Sequence, residues 1–392
     1  MTRALALVAT LERPDRYRWA VAATVAVIAA LFLPALAGLF PLEHDLDRFI
    51  PVDDDWFVYH LHALDIRSGG LSMPGLEGPY YRPSGFAYPY FLALIYSLFG
   101  TFSEAVYLVQ GVLLLGTIAL LCWALRPRLS RVAAVCFLAA LAGMLYVDVF
   151  RSLTFRLLSE NLLFPCTAVM ILLILRGESS RRLGQFAWAG VAGGVCFLAR
   201  PNVLFYGVAV AVITLLAMTR HPREWRARAA AVFLAAFIAV SSLMAVRNFV
   251  VTGQVSMPVL TQRSDWWVPG ISRRNPRTFQ GRVQHATREV TRRTAFLLGI
   301  PQLYQPAFRV RPHWLLIWAG VAFYVSGWRR RRPEFWERLI IALCVAYFVP
   351  LFLIGNLSSY GVRMVTPGMP LALIMAVRGM DEARQRRGGD GA

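Results

Sequence analysis

The stretch PVDDDWFVYHLHALDIRSGG, residues 51–70, places three consecutive aspartates soon after an apolar segment at residues 18–40. A helix needs about 20 mostly apolar residues to cross a hydrocarbon layer of about 30 Å, and the apolar segment is long enough to do so. The aspartates therefore follow a predicted membrane span directly. Ionisable groups at membrane depth are costly unless they face water or one another, so these acids indicate a polar site at the bilayer edge.

The composition of the whole chain is that of a polytopic membrane protein. Its 392 residues are 57% hydrophobic and only 16% charged, with a mean hydropathy of +0.52. We expect an all-α bundle forming one domain over residues 1–392, with about ten membrane spans. The spans are predicted at 18–40, 104–125, 132–149, 157–175, 184–199, 203–219, 229–247, 313–328, 338–355 and 366–379.

Two shorter apolar segments indicate helices that lie along the membrane surface. The segment at 86–100 has 15 residues, which as a helix would reach only about 22 Å and is short for a crossing. We interpret it, and the segment at 54–70, as interfacial helices. Both belong to a predicted first outer loop at 41–103, and a second outer loop is predicted at 248–312.

The distribution of positive charge predicts the orientation of the spans. The net charge is +19, and because the sequence has no lysine, all 41 basic residues are arginines. Many arginines fall in short connections, which are 126–131, 176–182, 220–228 and 329–338. Such clusters are typical of cytoplasmic loops, so both termini are predicted to be cytoplasmic. The arginines are not gathered on a soluble domain, which argues against a nucleic-acid partner.

Several ionisable residues fall at the outer ends of the predicted spans: Asp54, Asp55, Arg82, Glu160, Arg200, Arg247 and Arg363. One shared pocket of acids and arginines would explain them together. Each also has a simpler interpretation, since aspartates cap helices, a glutamate can sit hydrated at the interface, and arginines at helix ends reach lipid phosphates. Three histidines near the acids, His44, His60 and His62, leave a divalent metal possible.

The order of these motifs resembles the polytopic glycosyltransferases of the GT-C fold that use a polyprenyl-phosphate sugar. That superfamily includes protein O-mannosyltransferases, the aminoarabinose transferase of lipid A and core-galacturonosyl transferases. Its first outer loop carries an acid, a tyrosine four residues later and a small residue eight residues later, which Asp55, Tyr59 and Ala63 match. Five later segments of this chain resemble further motifs of the superfamily, in the same order. They are RPSGFAYP (82–89), LLSENLLF (157–164), GVAGGVCFLARPN (190–202), AVRNFVVTGQ (245–254) and GVRMVTPGMP (361–370).

The resemblance implies sugar transfer from a polyprenyl-phosphate donor to an envelope acceptor, which could be a lipid, a glycan or a protein. We expect inversion at the anomeric carbon, with Asp55 as the base. Donor phosphate would be bound by Arg200, Arg247, Arg82 and Arg363, and further site-lining residues would be Asp54, Tyr59, Glu160 and Asn248. The expected location is a bacterial inner membrane, with the site on the periplasmic side and membrane lipid around it.

Other functional classes remain open from the sequence. A many-span protein with charges near the membrane could transport a lipid-linked or small solute, and an oligosaccharide polymerase or ligase would use similar chemistry. A non-catalytic scaffold is a further alternative. The small-residue run at 189–195 predicts close helix packing, and the arginine-rich segment at 281–299 predicts an amphipathic helix on the membrane surface or one that recognises an acidic acceptor.

Overall fold

The structure, a computed structural model, describes residues 14–39, 55–71, 86–150, 157–253, 255, 279–300, 311–329, 331–354 and 365–389. Regular structure in these residues is helical, which confirms the predicted all-α class. The α-helices are α1 (Pro14–Leu39), α2 (Asp55–Arg67), α3 (Ala87–Phe99), α4 (Ser103–Leu125), α5 (Arg131–Met144), α6 (Glu160–Ser180), α7 (Leu183–Ala199), α8 (Phe205–Ala217), α9 (Arg223–Thr252), α10 (Phe279–Leu297), α11 (Pro312–Ser326), α12 (Phe335–Ile354) and α13 (Met369–Gly389).

The length and apolarity of these helices identify an integral membrane protein. Five segments of the described chain are long and apolar enough to cross a bilayer: Glu104–Arg128, Arg131–Asp148, Glu160–Ser180, Arg223–Val250 and Phe335–Phe352. Further apolar helices are shorter, and the count of ten spans stays a prediction. The two predicted interfacial segments are the short helices α2 and α3, of 13 residues each.

The helices fall into two compact units, Met1–Pro258 and Val259–Ala392. In the first unit, α6 and α7 pack antiparallel, since Gly177 adjoins Phe186 near one end of the pair. Towards the other end, the Thr167 hydroxyl lies 3.6 Å from the Cys196 sulfur. The single domain predicted for 1–392 stays a prediction.

Helix α7 packs parallel to α9 through the small-residue run. Gly190 lies against the backbone of Phe233, and a Cβ atom at Gly194 would lie 2.6 Å from Cβ of Val240. Both residue numbers rise together along the contact, which is what parallel helices require. The predicted role of this run in helix packing is confirmed, because only glycine allows the two backbones to approach this closely.

The first unit has two chemically different ends. At one end, which we call the arginine end, the connections 126–131 and 176–182 come together: Arg128 donates to the carbonyl of Leu175 at 3.3 Å and lies 3.5 Å from the Glu178 carboxylate. Helix α1 begins at the same end, where Arg126 lies 5.1 Å from the ring of Tyr17. The opposite end of α6, about 30 Å away at 1.5 Å per residue, begins with Glu160.

In the second unit, α11 and α13 pack closely, with Gly320 against Ala376. Helix α13 continues ten residues beyond the predicted span at 366–379. Its charged turn remains helical because Arg378 pairs with Asp381 at 3.3 Å and with Glu337 of α12 at 2.6 Å.

The arginine-rich segment predicted to be an amphipathic helix forms α10. One of its arginines, Arg293, is buried and donates to the carbonyl of Phe352. The helix therefore does not present all of its arginines to the surroundings.

Candidate active site

Helix α2 begins at the acid of the first motif and buries the tyrosine and the small residue that follow it. Asp55 is the first residue of α2, and Tyr59 and Ala63 follow at intervals of four residues, which brings them to the same side of a helix. Tyr59 is buried and Ala63 is fully buried, in a cluster that includes Tyr88 and Leu92 of α3. The spacing has a packing reason, because the buried face holds α2 on α3.

A chain of polar contacts leads from α2 to a buried ion pair. The Tyr59 hydroxyl donates to Oγ of Ser159 at 3.4 Å, and that hydroxyl donates to the Glu160 carboxylate at 3.3 Å. Glu160 also forms an ion pair with Arg200, and both side chains are buried. The interpretation of Glu160 as a hydrated interfacial residue is wrong, because it has no exposed surface and its charge is balanced by a guanidinium.

Helix packing explains why Glu160 and Arg200 meet. Glu160 begins α6 and Arg200 directly follows α7. Because the two helices are antiparallel neighbours, the start of one lies beside the end of the other. The structure therefore brings together one acid and one arginine of the predicted set, and the shared pocket stays a prediction.

A second polar group joins the same ends of α3, α4 and α6. The Tyr88 hydroxyl donates to Oε1 of Gln110 at 2.5 Å, and the same oxygen accepts from the Asn161 amide at 3.1 Å. Burial, together with the neighbouring phenols of Tyr96 and Tyr107, raises the pKa of Tyr88 well above its ordinary value, so it remains a protonated donor. We call the region containing Tyr59, Gln110, Glu160, Asn161 and Arg200 the polar end.

Arg247 and Asn248 lie near the C-terminus of α9. Arg247 is buried, donates to the carbonyl of Leu71 at 2.9 Å and to Oδ1 of Asn248 at 3.1 Å, and stands 5.6 Å from the ring of Phe86. Because α9 is parallel to α7, Arg247 falls at the same end of the unit as Arg200. Arg247 also connects α9 to the residues that follow α2 and precede α3.

The structure describes only some of the other predicted site residues. Asp54, Arg82, Arg363 and His44 lie outside the described residues. Nδ1 of His60 lies 3.0 Å from the Tyr96 hydroxyl, and His62 is buried. Within the described ranges, the structure has no group of three histidine, cysteine, aspartate or glutamate side chains that could hold a metal ion.

Sequence reasoning missed several polar residues of this region. Asp148 is buried in a π-helical turn, Leu145–Phe150, that continues α5 away from the arginine end. Gln110, Ser159 and Asn161 were also missed. Their common signal is a polar residue within a few positions of the outer end of an apolar run, a place where burial requires a partner. π-Helical turns are frequent at functional sites, which makes Asp148 a further candidate.

The chemistry available at the polar end combines carboxylates with guanidinium groups. Guanidinium forks bind phosphate well, and ion pairs are stronger where water is largely excluded. The guanidinium groups of the polar end are thus of the kind that suits an anionic substrate.

One protein-family model matches part of the chain. Residues 82–246 match the family described as dolichyl-phosphate-mannose-protein mannosyltransferase. That segment contains Glu160 and Arg200 and stops one residue before Arg247. No curated protein sequence matches the chain.

Two solved structures share the fold. ArnT from Cupriavidus metallidurans bound to undecaprenyl phosphate superposes with a TM-score of 0.58 at 16% identity, over 91% of this chain and 60% of ArnT. The apo state of the same ArnT gives a TM-score of 0.57 at 18% identity, over 95% and 62% of the two chains. The present chain thus spans about three fifths of the ArnT length, and its predicted GT-C fold is confirmed.

Proposed function

We propose that this protein, which has the GT-C fold of ArnT, is a membrane glycosyltransferase that moves a sugar from a polyprenyl-phosphate donor to an acceptor of the cell envelope. The observation that carries the proposal is the fold itself, shared over 91% of the chain with a protein bound to undecaprenyl phosphate. The family match at residues 82–246 supports the same reaction class. The buried acids and arginines of the polar end supply groups that suit it.

The proposed reaction is a displacement at the anomeric carbon of the sugar. An acceptor hydroxyl attacks that carbon, the bond to the phosphate oxygen breaks, and the configuration is inverted. Polyprenyl phosphate leaves with the electron pair, and the hydroxyl proton passes to the Asp55 carboxylate. Phosphate is already a good leaving group, so one base replaces the two carboxylates that glycosidases need.

The departing phosphate would be held by arginines. Arg247 suits this role because it is buried and lies at the same end of the first unit as Arg200. Arg200 belongs to the same proposal, but a phosphate there would compete with the Glu160 carboxylate for one guanidinium. Arg82 and Arg363 are proposed as further phosphate ligands from their motifs. Asp54, Tyr59 and Asn248 would line the site.

The proposed orientation places the polar end on the periplasmic side of a bacterial inner membrane. The arginine end lies at the other end of α6, and arginine-rich connections are typical of the cytoplasmic side. Both termini would then be cytoplasmic. The acceptor would be a lipid, glycan or protein that is accessible from the periplasm.

The test uses purified protein in lipid vesicles with labelled polyprenyl-phosphate sugars and an envelope extract as the acceptor pool. We expect transfer of label by the wild type, and a fall of at least about a hundredfold in Asp55→Asn, in line with loss of a general base. Asp65→Asn is the matched control, since it makes the same change nearly three turns further along α2. Parallel assays with and without a chelator would establish whether a divalent metal is needed.

Each outcome bears on a different part of the proposal. Transfer by Asp55→Asn at the wild-type rate would remove Asp55 as the base and leave the enzyme class intact. Absence of transfer by well-folded wild type from any donor would reject the glycosyltransferase. In that case, uptake of the labelled donor into sealed vesicles without transfer would favour a transporter.

A further inference from the structure

The arginine end holds a pocket that the proposed reaction does not use. It has a volume of about 300 Å³ and lies where α4, α6 and the start of α7 meet. Side chains that matter for its chemistry are Trp123, Arg128, Arg176, Ser179, Ser180 and Gln185. At 1.5 Å per residue, the residues of α6 that line this pocket lie about 18–30 Å along the helix from Glu160.

The two lining arginines are held in place by different contacts. Arg128 donates to the carbonyls of Ala124 at 3.1 Å and Leu175 at 3.3 Å, which fixes its guanidinium between the ends of α4 and α6. Arg176 is exposed, and its guanidinium lies 4.6 Å from the centre of the Trp123 ring. Stacking on tryptophan orients a guanidinium while leaving its N–H groups able to donate.

The charge around the pocket favours an anion. The connections 126–131 and 176–182 together contain six arginines and one acid, Glu178. Glu178 lies 3.5 Å from Arg128 and offsets part of that positive charge. The remaining excess of positive charge matches a phosphate group, which planar guanidinium forks bind through paired hydrogen bonds.

The surface beside the pocket points to a lipid as the source of the phosphate. Leu108, Val112 and Trp123 are exposed, and their spacing places them along one face of α4 that leads to the pocket. This face is apolar and would contact acyl chains in a membrane. Tryptophan is enriched at the level of lipid headgroups, and basic pockets between helices on the cytoplasmic side bind anionic headgroups.

We propose that this pocket binds the headgroup phosphate of an anionic phospholipid in the leaflet next to the arginine end. Arg176 and Arg128 hold the phosphate, and the acyl chains lie along the exposed face of α4. The lipid would then hold the ends of α4 and α6 together without taking part in sugar transfer. This site does not depend on the proposed enzymatic activity.

The test measures lipid binding by native mass spectrometry of the full chain released from detergent. Phosphatidylglycerol is titrated against the wild type and Arg176→Gln, with zwitterionic phosphatidylcholine as the comparison lipid. Arg220→Gln is the matched control, because it removes the same charge from an exposed position outside the pocket. Circular dichroism melting checks that the variants are folded, which we expect because Arg176 is exposed.

We expect the wild type to prefer phosphatidylglycerol, Arg176→Gln to bind it about fivefold more weakly, and Arg220→Gln to bind as the wild type does. Equal binding by wild type and Arg176→Gln, or equal retention of the two lipids, would overturn the site. A further arm adds inorganic phosphate. Displacement of the lipid by millimolar phosphate would assign the pocket to a soluble phosphate ligand. The proposal that the phosphate belongs to a phospholipid would then be wrong.

Discussion

Glu160 and Arg200 bring opposite charges into a part of the first unit where neither side chain has much exposed surface. Their ion pair is reinforced by the Ser159 hydroxyl, which in turn accepts from Tyr59 of α2. Removing one partner of such a pair leaves an unbalanced charge in a region of low polarity. The penalty for that is larger than the net stabilisation that the pair itself provides.

We therefore expect Glu160→Gln to destabilise the protein by about 3–5 kcal/mol, because Arg200 would stay buried without its carboxylate. The double variant Glu160→Gln/Arg200→Gln should lose much less than the sum of the two single changes. Thermal melting of the four proteins in detergent, analysed as a double-mutant cycle, measures this coupling. Additive effects of the two substitutions would show that the ion pair does not form.

At the scale of elements, the packing of α7 on α9 depends on glycines at the contact. Gly190 and Gly194 face backbone and side-chain atoms of α9. Gly184, on the same helix, differs from them, because a methyl group added there would meet no neighbouring atom of the described chain within 4 Å. The two kinds of glycine thus have opposite expected responses to an added methyl group. Gly190 and Gly194 are required by the close approach of the two helices, whereas Gly184 only lowers the helix propensity of α7.

Replacement of Gly190 by alanine should destabilise the protein by about 1–3 kcal/mol, since the new methyl group would force α7 and α9 apart. Gly184→Ala is the matched control and should leave the melting temperature unchanged or raise it, because alanine favours a helix by about 1 kcal/mol. Differential scanning fluorimetry in detergent compares the two. A similar melting temperature for both variants would contradict the close packing.

Sequence reasoning located the helices better than the contacts between them. Hydropathy predicted where α4, α7 and α12 lie to within a few residues, because apolar length alone determines a span. The predicted span 229–247 is shorter than the helix at both ends, since α9 runs from Arg223 to Thr252. Polar residues end an apolar run, but they do not end a helix whose backbone hydrogen bonds continue.

The candidate site was predictable residue by residue but not as a set of contacts. Glu160, Arg200 and Arg247 were identified because ionisable residues at membrane depth are costly unless they face water or one another. Their partners depend on tertiary packing: Ser159 accepts from Tyr59, which lies 100 residues away in the chain. Nothing local in the sequence indicates such a contact. Gln110 and Asn161 do carry a local signal as polar residues near the end of an apolar run, but their partners follow only from packing.

At the scale of the whole molecule, the polar end and the arginine end lie at opposite ends of the first unit. In the first unit, α6 runs from Glu160 to Ser180, and the arginine-rich connections gather at its second end. In the proposed orientation, the polar end is accessible from the periplasm and the arginine end from the cytoplasm.

Labelling of single cysteines tests that orientation. In a variant without the five natural cysteines, Ser68→Cys lies after α2 and Thr219→Cys lies before α9, and both positions are exposed. We expect a membrane-impermeant maleimide to label Ser68→Cys in intact spheroplasts, and Thr219→Cys only after lysis. The reverse pattern would invert the topology, and with it the proposed periplasmic site.

The antiparallel pairing of α6 with α7 also bears on how the chain enters the membrane during synthesis. Glu160 leaves the ribosome 40 residues before Arg200, a delay of about 2–8 s at about 5–20 residues per second. During that interval the carboxylate lacks its guanidinium, and a lone α6 would carry an unbalanced charge into lipid. Burial of Glu160 as an ion pair is therefore complete only once α7 has followed α6 into the membrane.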